Sequence, residues 1–167
     1  VNQSKDQVTN LFFCGVGGQG ILLSSEIAAA VAFQAGLDVK KSEVHGMAQR
    51  GGSVTSNVRF GPKVYSPLIP AGKVDYLIAF HPEERDRWTH LLHPEGHIVE
   101  AWPGLLDVLP DRRCLNIALL GALSNLLDFS EDEWIETICS KVRPKFHRVN
   151  LAAFSVGRKG PEGNADR

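Results

Sequence analysis

The chain has 167 residues, 43% of them hydrophobic and 22% charged, which is the make-up of one soluble globular domain and excludes a disordered or fibrous chain. Eighteen Lys and Arg against 19 Asp and Glu leave a net charge of -1, so there is no basic footprint for nucleic acid or an anionic membrane surface. Cys14, Cys114 and Cys139 are too few and too scattered for a full disulfide set or a CxxC metal knuckle, which fits a reducing cytoplasm. No signal peptide is expected, and the longest apolar region, Ile21 to Ala35, is interrupted by Ser24, Ser25, Glu26 and Gln34, so no membrane span is expected either.

In chain order, Asn10 to Cys14 is a short apolar run stopping at Gly15, as in a buried strand of a parallel sheet. Leu23, Ile27, Val31 and Ala35 then recur every four residues, and Gly36 stands where a left-handed cap would end that helix. Asp38 to Val44 is a second extended stretch. The polar, flexible loop that follows leads to Val54–Phe60, where Val54, Ser56, Val58 and Phe60 alternate with Thr55, Asn57 and Arg59. Gly61-Pro62-Lys63 is read as turning this strand back through Val64-Tyr65, giving a hairpin inserted into a βαβ chain.

Val74–Phe80 is another apolar strand, and His81-Pro82-Glu83-Glu84 announces a short helix to about Leu92. His93 to Gly96 reads as a turn into a strand at Gly96–Ala101, and Ile117–Leu127 as a helix apolar around most of its circumference. Ser130 with Glu133 makes a capping box, Phe129 with Trp134 a hydrophobic staple, and Trp134, Ile138 and Val142 the buried face of a helix stopped by Pro144. The sum is an α/β, Rossmann-like fold: a mostly parallel sheet flanked by helices with an inserted β-hairpin. Residues 1–157 form a single domain, and 158–167, rich in Gly, Pro, Asn and charge, a flexible tail.

Chemistry concentrates in two loops. Gly15-Val16-Gly17-Gly18-Gln19-Gly20 is a GxGxxG between strand and helix, whose glycines would let backbone amides approach a pyrophosphate at the positive end of the helix. Asp38 or Glu43 would take the ribose hydroxyls, which supports NAD or FAD; the same loop can equally serve close packing of another subunit. The other loop, Ser42 to Ser53, can position a ligand or partner, or simply be solvated. His90, His93 and His97 read as surface-loop residues and not a metal site, His81 as a helix entry at a sheet edge where ligands bind, and Cys14 as packing. No catalytic residue and no metal ligand is assigned.

Gly15 to Leu23, Ser42-Glu43-Val44-His45-Gly46-Met47-Ala48-Gln49-Arg50-Gly51-Gly52-Ser53-Val54, Tyr65 to Ile69 and Leu119 to Leu123 together resemble a family over roughly residues 10–157. It is the gamma subunit or domain of the 2-oxoacid:ferredoxin oxidoreductases of pyruvate, ketoisovalerate and indolepyruvate type, and the chain is most similar to the small subunit of the indolepyruvate type. The resemblance implies a Rossmann-like, noncatalytic cytoplasmic subunit of an enzyme that decarboxylates a 2-oxoacid with thiamine diphosphate. That enzyme passes electrons through iron–sulfur clusters to ferredoxin and releases an acyl-CoA.

The thiamine diphosphate and clusters would sit on a large catalytic partner subunit. This chain has no Gly-Asp-Gly motif, and three cysteines cannot supply the four thiolates of a cluster. Gly15, Gly17, Gly18, Gln19 and Gly20 would then meet coenzyme A phosphates or the partner, and Glu43, His45, Gly46, Met47, Gln49, Arg50, Gly51 and Gly52 would form the interface. Neither nucleic acid nor membrane is an expected partner. A free-standing NAD- or FAD-binding module is the alternative, and a ligand-free regulatory domain a third reading. Pro103–Arg113 matches no family segment, and His81 stands where the family pattern expects an acidic or small residue.

Overall fold

The computed structural model describes residues 7–46 and 51–161. Strand β1 (Thr9–Val16) enters the glycine loop and helix α1 (Ile21–Gln34); β2 (Asp38–His45), β3 (Ser53–Gly61) and β4 (Val74–Ala79) follow. Then come α2 (Pro82–Trp88), β5 (Leu92–Glu100), a short α3 (Leu105–Val108), α4 (Leu115–Ser124), α5 (Glu131–Lys141) and α6 (His147–Lys159). The sheet order is β2-β3-β1-β4-β5. β1 pairs parallel with β4 and β4 with β5, whereas β3 lies antiparallel to both β1 and β2. Among the described strands only β3 runs against the common direction, as an α/β sheet with an inserted hairpin requires.

The hairpin has different arms from those expected. β3 pairs back onto β2, from Asp38↔Gly61 to His45↔Val54, and not with Val64-Tyr65. Both edges of β3 are occupied, one by β1 and the other by β2, so no backbone donors remain there for a returning strand. The chain after β3 is held by side chains instead. Val64 N–H donates to the Asp38 carboxylate at 2.9 Å, and the Arg59 guanidinium donates to the carbonyls of Ser66 and Leu68 at 2.8 and 2.9 Å.

Period-two alternation divides the core between the faces of the sheet. Leu11, Phe13, Val58, Phe60 and Ile78 meet α1, α4, α5 and α6 in the main core. Phe12, Cys14, Leu77 and Ala79 form a smaller cluster with Ile69, Trp88 and Leu91 on the other face. There α2 and the 64–69 segment are the cover among the described residues, and they leave Val44 of β2 61% exposed and Leu68 of the covering segment 63% exposed.

The expected turn at His93–Gly96 is the first half of β5 instead. Pro94 is tolerated because β5 is an edge strand, with a bulge between Val74 and Tyr76 in its register against β4. The unassigned stretch from Pro103 holds α3 and a 3-10 turn, Arg112–Cys114, with Leu105 and Leu109 buried. α6 has no counterpart among the elements the sequence pattern marks. It continues through Lys159, two residues into the segment expected to be loose, and Arg158 is fixed there by Glu131 at 3.2 Å and by Ser124 Oγ at 2.8 Å.

α5 begins as its sequence signature indicates. Glu133 N–H donates to Ser130 Oγ at 3.3 Å, Ser130 N–H donates to the Glu133 carboxylate at 2.7 Å, and Phe129 meets Trp134 with ring centroids 6.4 Å apart. The Ser130 hydroxyl and amide hold the Glu133 carboxyl below its usual range. With the folded value below the unfolded one, this contribution is present at neutral pH and is lost as pH falls through the folded-state value. Ser130→Ala should cost about 1 kcal/mol, the usual worth of a cap, or ~2–4 °C in Tm for a chain of this size. Calorimetry should also show the gap between variant and wild type narrowing in acid.

Candidate functional site

β1 delivers the glycine loop to the carboxyl edge of the sheet, and β2 delivers His45 and Gly46 to the same edge, because both strands run the same way. The two loops are joined: Gly17 N–H donates to the Gly52 carbonyl at 2.9 Å, and Gly46 N–H to the Ser53 carbonyl at 2.8 Å. Between them is a groove of about 370 Å³ lined by Gly17, Gly18, Gly20, Leu22, Leu23, His45 and Val54. A second groove, of about 440 Å³, opens on the other side of the hairpin base, where Val44, Gly46, Ser53, Leu68 and Trp88 are among the lining residues. Of the sequence-assigned residues, Gly17, Gly18, Gly20 and His45 share one groove, and Gly46 lines the other. Gly51 is exposed beside Gly52, while Met47, Gln49 and Arg50 lie outside the described residues.

The glycines of the loop differ in what demands them. A Cβ on Gly20, which has φ 79°, would stand 2.6 Å from Asn116 Nδ2, and one on Gly15 would stand 2.8 Å from both Gln19 Oε1 and Phe80 Cβ. Gly17 is exposed, its φ is not positive, and a Cβ there would have its nearest neighbour at 3.7 Å. Nothing among the described residues requires glycine at 17. Gln19 turns inward: its side-chain oxygen accepts from Val16 N–H at 2.7 Å and its amide donates to the Phe80 carbonyl at 3.0 Å, bracing the loop against the end of β4.

α1 begins with no side-chain cap and no acid in its first turn. Its amino end therefore offers open amides and positive potential at the groove. Asn116, only 6% exposed, sits against Gly20, and its side-chain amide makes no hydrogen bond among the described residues. Sequence reading missed Asn116, because it falls just before the apolar run that marks the helix, and nothing in the spacing says which loop the first turn of α4 will meet.

The sequence marks Glu84 only as an acid suited to a helix start, yet it is 5% exposed. Its Oε2 accepts from the Ser53 hydroxyl at 2.5 Å and from Trp88 Nε1 at 3.0 Å, while Oε1 pairs with Arg87 at 2.9 Å. Burial, with the charge of Glu84 adding to it, pushes the Cys14 thiol up to about 12, so Cys14 is a protonated packing group. His81 caps α2, its Nδ1 accepting from Glu83 N–H at 3.3 Å. His90 stacks on Trp88, His97 stacks on Tyr76, and His93 accepts from Glu95 N–H at 3.1 Å.

The acids expected to bind ribose do not reach the loop. In a dinucleotide fold the strand carrying that acid lies directly beside β1. Here β3 separates β2 from β1. Asp38 opens β2 at the far end from His45 and is spent on Lys40 at 2.8 Å and the Val64 amide, and Glu43 pairs with Lys41 at 2.5 Å. The hairpin strand thus removes the geometric basis of the NAD or FAD alternative.

The family described as pyruvate ferredoxin/flavodoxin oxidoreductase matches residues 10–103, which include both loops. The indolepyruvate oxidoreductase subunit IorB of Thermococcus kodakarensis is 35% identical, over 90% of this chain and 94% of that protein. Two solved structures share the fold. The 2-oxoglutarate:ferredoxin oxidoreductase of Magnetococcus marinus, bound to 2-oxoglutarate, coenzyme A and succinyl-CoA, has a TM-score of 0.81 at 24% identity over 92% of this chain, which spans 31% of that one. The gamma subunit of the keto/oxoacid ferredoxin oxidoreductase of Geobacter sulfurreducens has a TM-score of 0.71 at 24% identity, with 89% and 95% of the two chains covered. With the two joined loops inside the matched span and a relative aligned over nearly its whole length, the chain belongs to the pyruvate ferredoxin/flavodoxin oxidoreductase family.

Proposed function

We propose that this chain is the noncatalytic, gamma-type small subunit of a cytoplasmic 2-oxoacid:ferredoxin oxidoreductase of indolepyruvate-like type. It packs as a single domain on a large catalytic subunit that carries thiamine diphosphate and iron–sulfur clusters and passes electrons to ferredoxin. Gly17 carries this reading: an exposed glycine that no contact among the described residues explains lines a groove shared with His45, where its lack of a side chain would permit close approach of a partner or coenzyme. Val44 and Leu68, large apolar side chains exposed along one groove, support a docked partner.

The residues present fit coenzyme A phosphates better than a cluster. The uncapped start of α1 and the Asn116 side-chain amide, which makes no hydrogen bond among the described residues, converge at Gly20, where donors for an anion are needed. Cys14 and Cys114 are buried packing groups, and the three thiols are dispersed. Gly17, Gly18 and Gly20, which line the groove, are accordingly assigned to the coenzyme or the partner, Gly15 and Gln19 to shaping that loop from within, and the stretch from Glu43 to Gly52 to the partner.

The test is co-expression with the adjacent large-subunit reading frame. A stable complex that oxidises 2-oxoacids is expected, and a chain that never associates overturns the proposal. Gly17→Val should leave the isolated chain within ~2 °C of wild-type Tm, as for an exposed substitution without a clash. In the complex it should raise the KM for coenzyme A if the loop cradles phosphates, or weaken assembly if it faces the partner. Wild-type behaviour in both assays would return the loop to a solvated turn.

A further inference from the structure

We infer that Glu84 is a positioning residue: its buried carboxylate fixes the base of the β2–β3 hairpin at Ser53 and thereby sets the shape of both grooves. This deepens the reading of those grooves as contact sites and rests on it. Three donors from two elements converge on one side chain. Ser53, the first residue of β3, donates to Oε2; Trp88 donates to the same oxygen from one turn further along α2; Arg87 pairs with Oε1.

Ser53 is where the hairpin base is tied down. Its carbonyl accepts from Gly46 N–H, and its neighbour Gly52 accepts from Gly17 N–H, so the position of Ser53 is passed to both loops through backbone hydrogen bonds. Ser53 and Trp88 line one groove, and Val54, the next residue, lines the other. The Trp88 ring is further set by Phe12, with centroids 5.4 Å apart. A buried carboxylate with several donors is rigid, because any displacement leaves charge unpaired. Arg87 is largely exposed and contributes mainly charge, whereas Ser53 and Trp88 transmit position.

Amide hydrogen exchange on the full chain tests this without a partner, so its outcome is separable from that of the subunit proposal. Ser53→Ala and Glu84→Gln should each speed exchange at Gly17 and Gly46 by about tenfold, the scale of losing a hydrogen bond to a charged group. Ile78 in β4 should be unchanged. Ser53→Thr, which keeps the hydroxyl, should restore slow exchange. In the assembled complex the same two variants should weaken association while Ser53→Thr does not. Unchanged exchange at Gly17 and Gly46 would overturn the inference, as would acceleration that extends equally to Ile78, or a Ser53→Thr chain that behaves as Ser53→Ala.

Discussion

Gly157→Ala should lower the thermal midpoint, although alanine is the better helix former by about 1 kcal/mol. α4 and α6 cross with backbone against backbone. A Cβ on Gly157 would lie 1.8 Å from the Ala118 carbonyl oxygen, and a Cβ on Gly121 would lie 2.1 Å from the Phe154 carbonyl oxygen. Neither obstacle is the movable end of a side chain, so the helices must separate. Separation loosens contacts around Leu119, Leu120, Leu123 and Phe154, all at most 1% exposed. Overpacking of this kind costs about 3 kcal/mol or more. Set against the gain in propensity, the net loss is about 2 kcal/mol, or ~4–8 °C in Tm. Gly121→Ala should behave alike, and the double variant should cost less than the sum, because one separation relieves both clashes. Calorimetry showing Gly157→Ala as stable as wild type would mean that this crossing is not as close as described.

Val44→Asp should have the opposite profile. Val44 is 61% exposed near the end of β2, opposite Thr55, so the isolated chain should lose no more than ~1 kcal/mol, the span of strand propensity. In the complex, a carboxylate buried without a partner costs about 3 kcal/mol or more, which at ~1.4 kcal/mol per decade is about a hundredfold in dissociation constant. Leu68→Asp, across the same groove, should repeat the effect. Both are read by titrating the variants against the large subunit, with thermal melts of the small subunit as the control. Undiminished association of both variants would move the docking surface elsewhere.

Local signals were legible where one residue type answers one geometric demand. The capping box at Ser130 and Glu133 fixes the start of α5, Gly36 with φ 82° ends α1, and the alternation in β3 assigns Val54, Val58 and Phe60 to the face of the main core. α6 escaped because its buried face is Asn150, Ala153, Phe154 and Gly157. The helical spacing is there, but only one of the four is a large apolar residue. The narrow helix crossing uses Gly157 for its lack of a side chain, which a hydrophobic pattern cannot register.

By itself, then, the sequence determined the α/β class, the glycine loop between strand and helix, and the four segments through which the chain resembles its family, since these depend on neighbours along the chain. The tertiary structure decided which strand lies beside β1. The insertion of β3 there carries β2 one strand outward, taking Asp38 and Glu43 away from the glycine loop and joining that loop to Gly52. Strand order is set by competition for hydrogen-bonding edges and for burial across the whole sheet, and no spacing within a single segment encodes that competition.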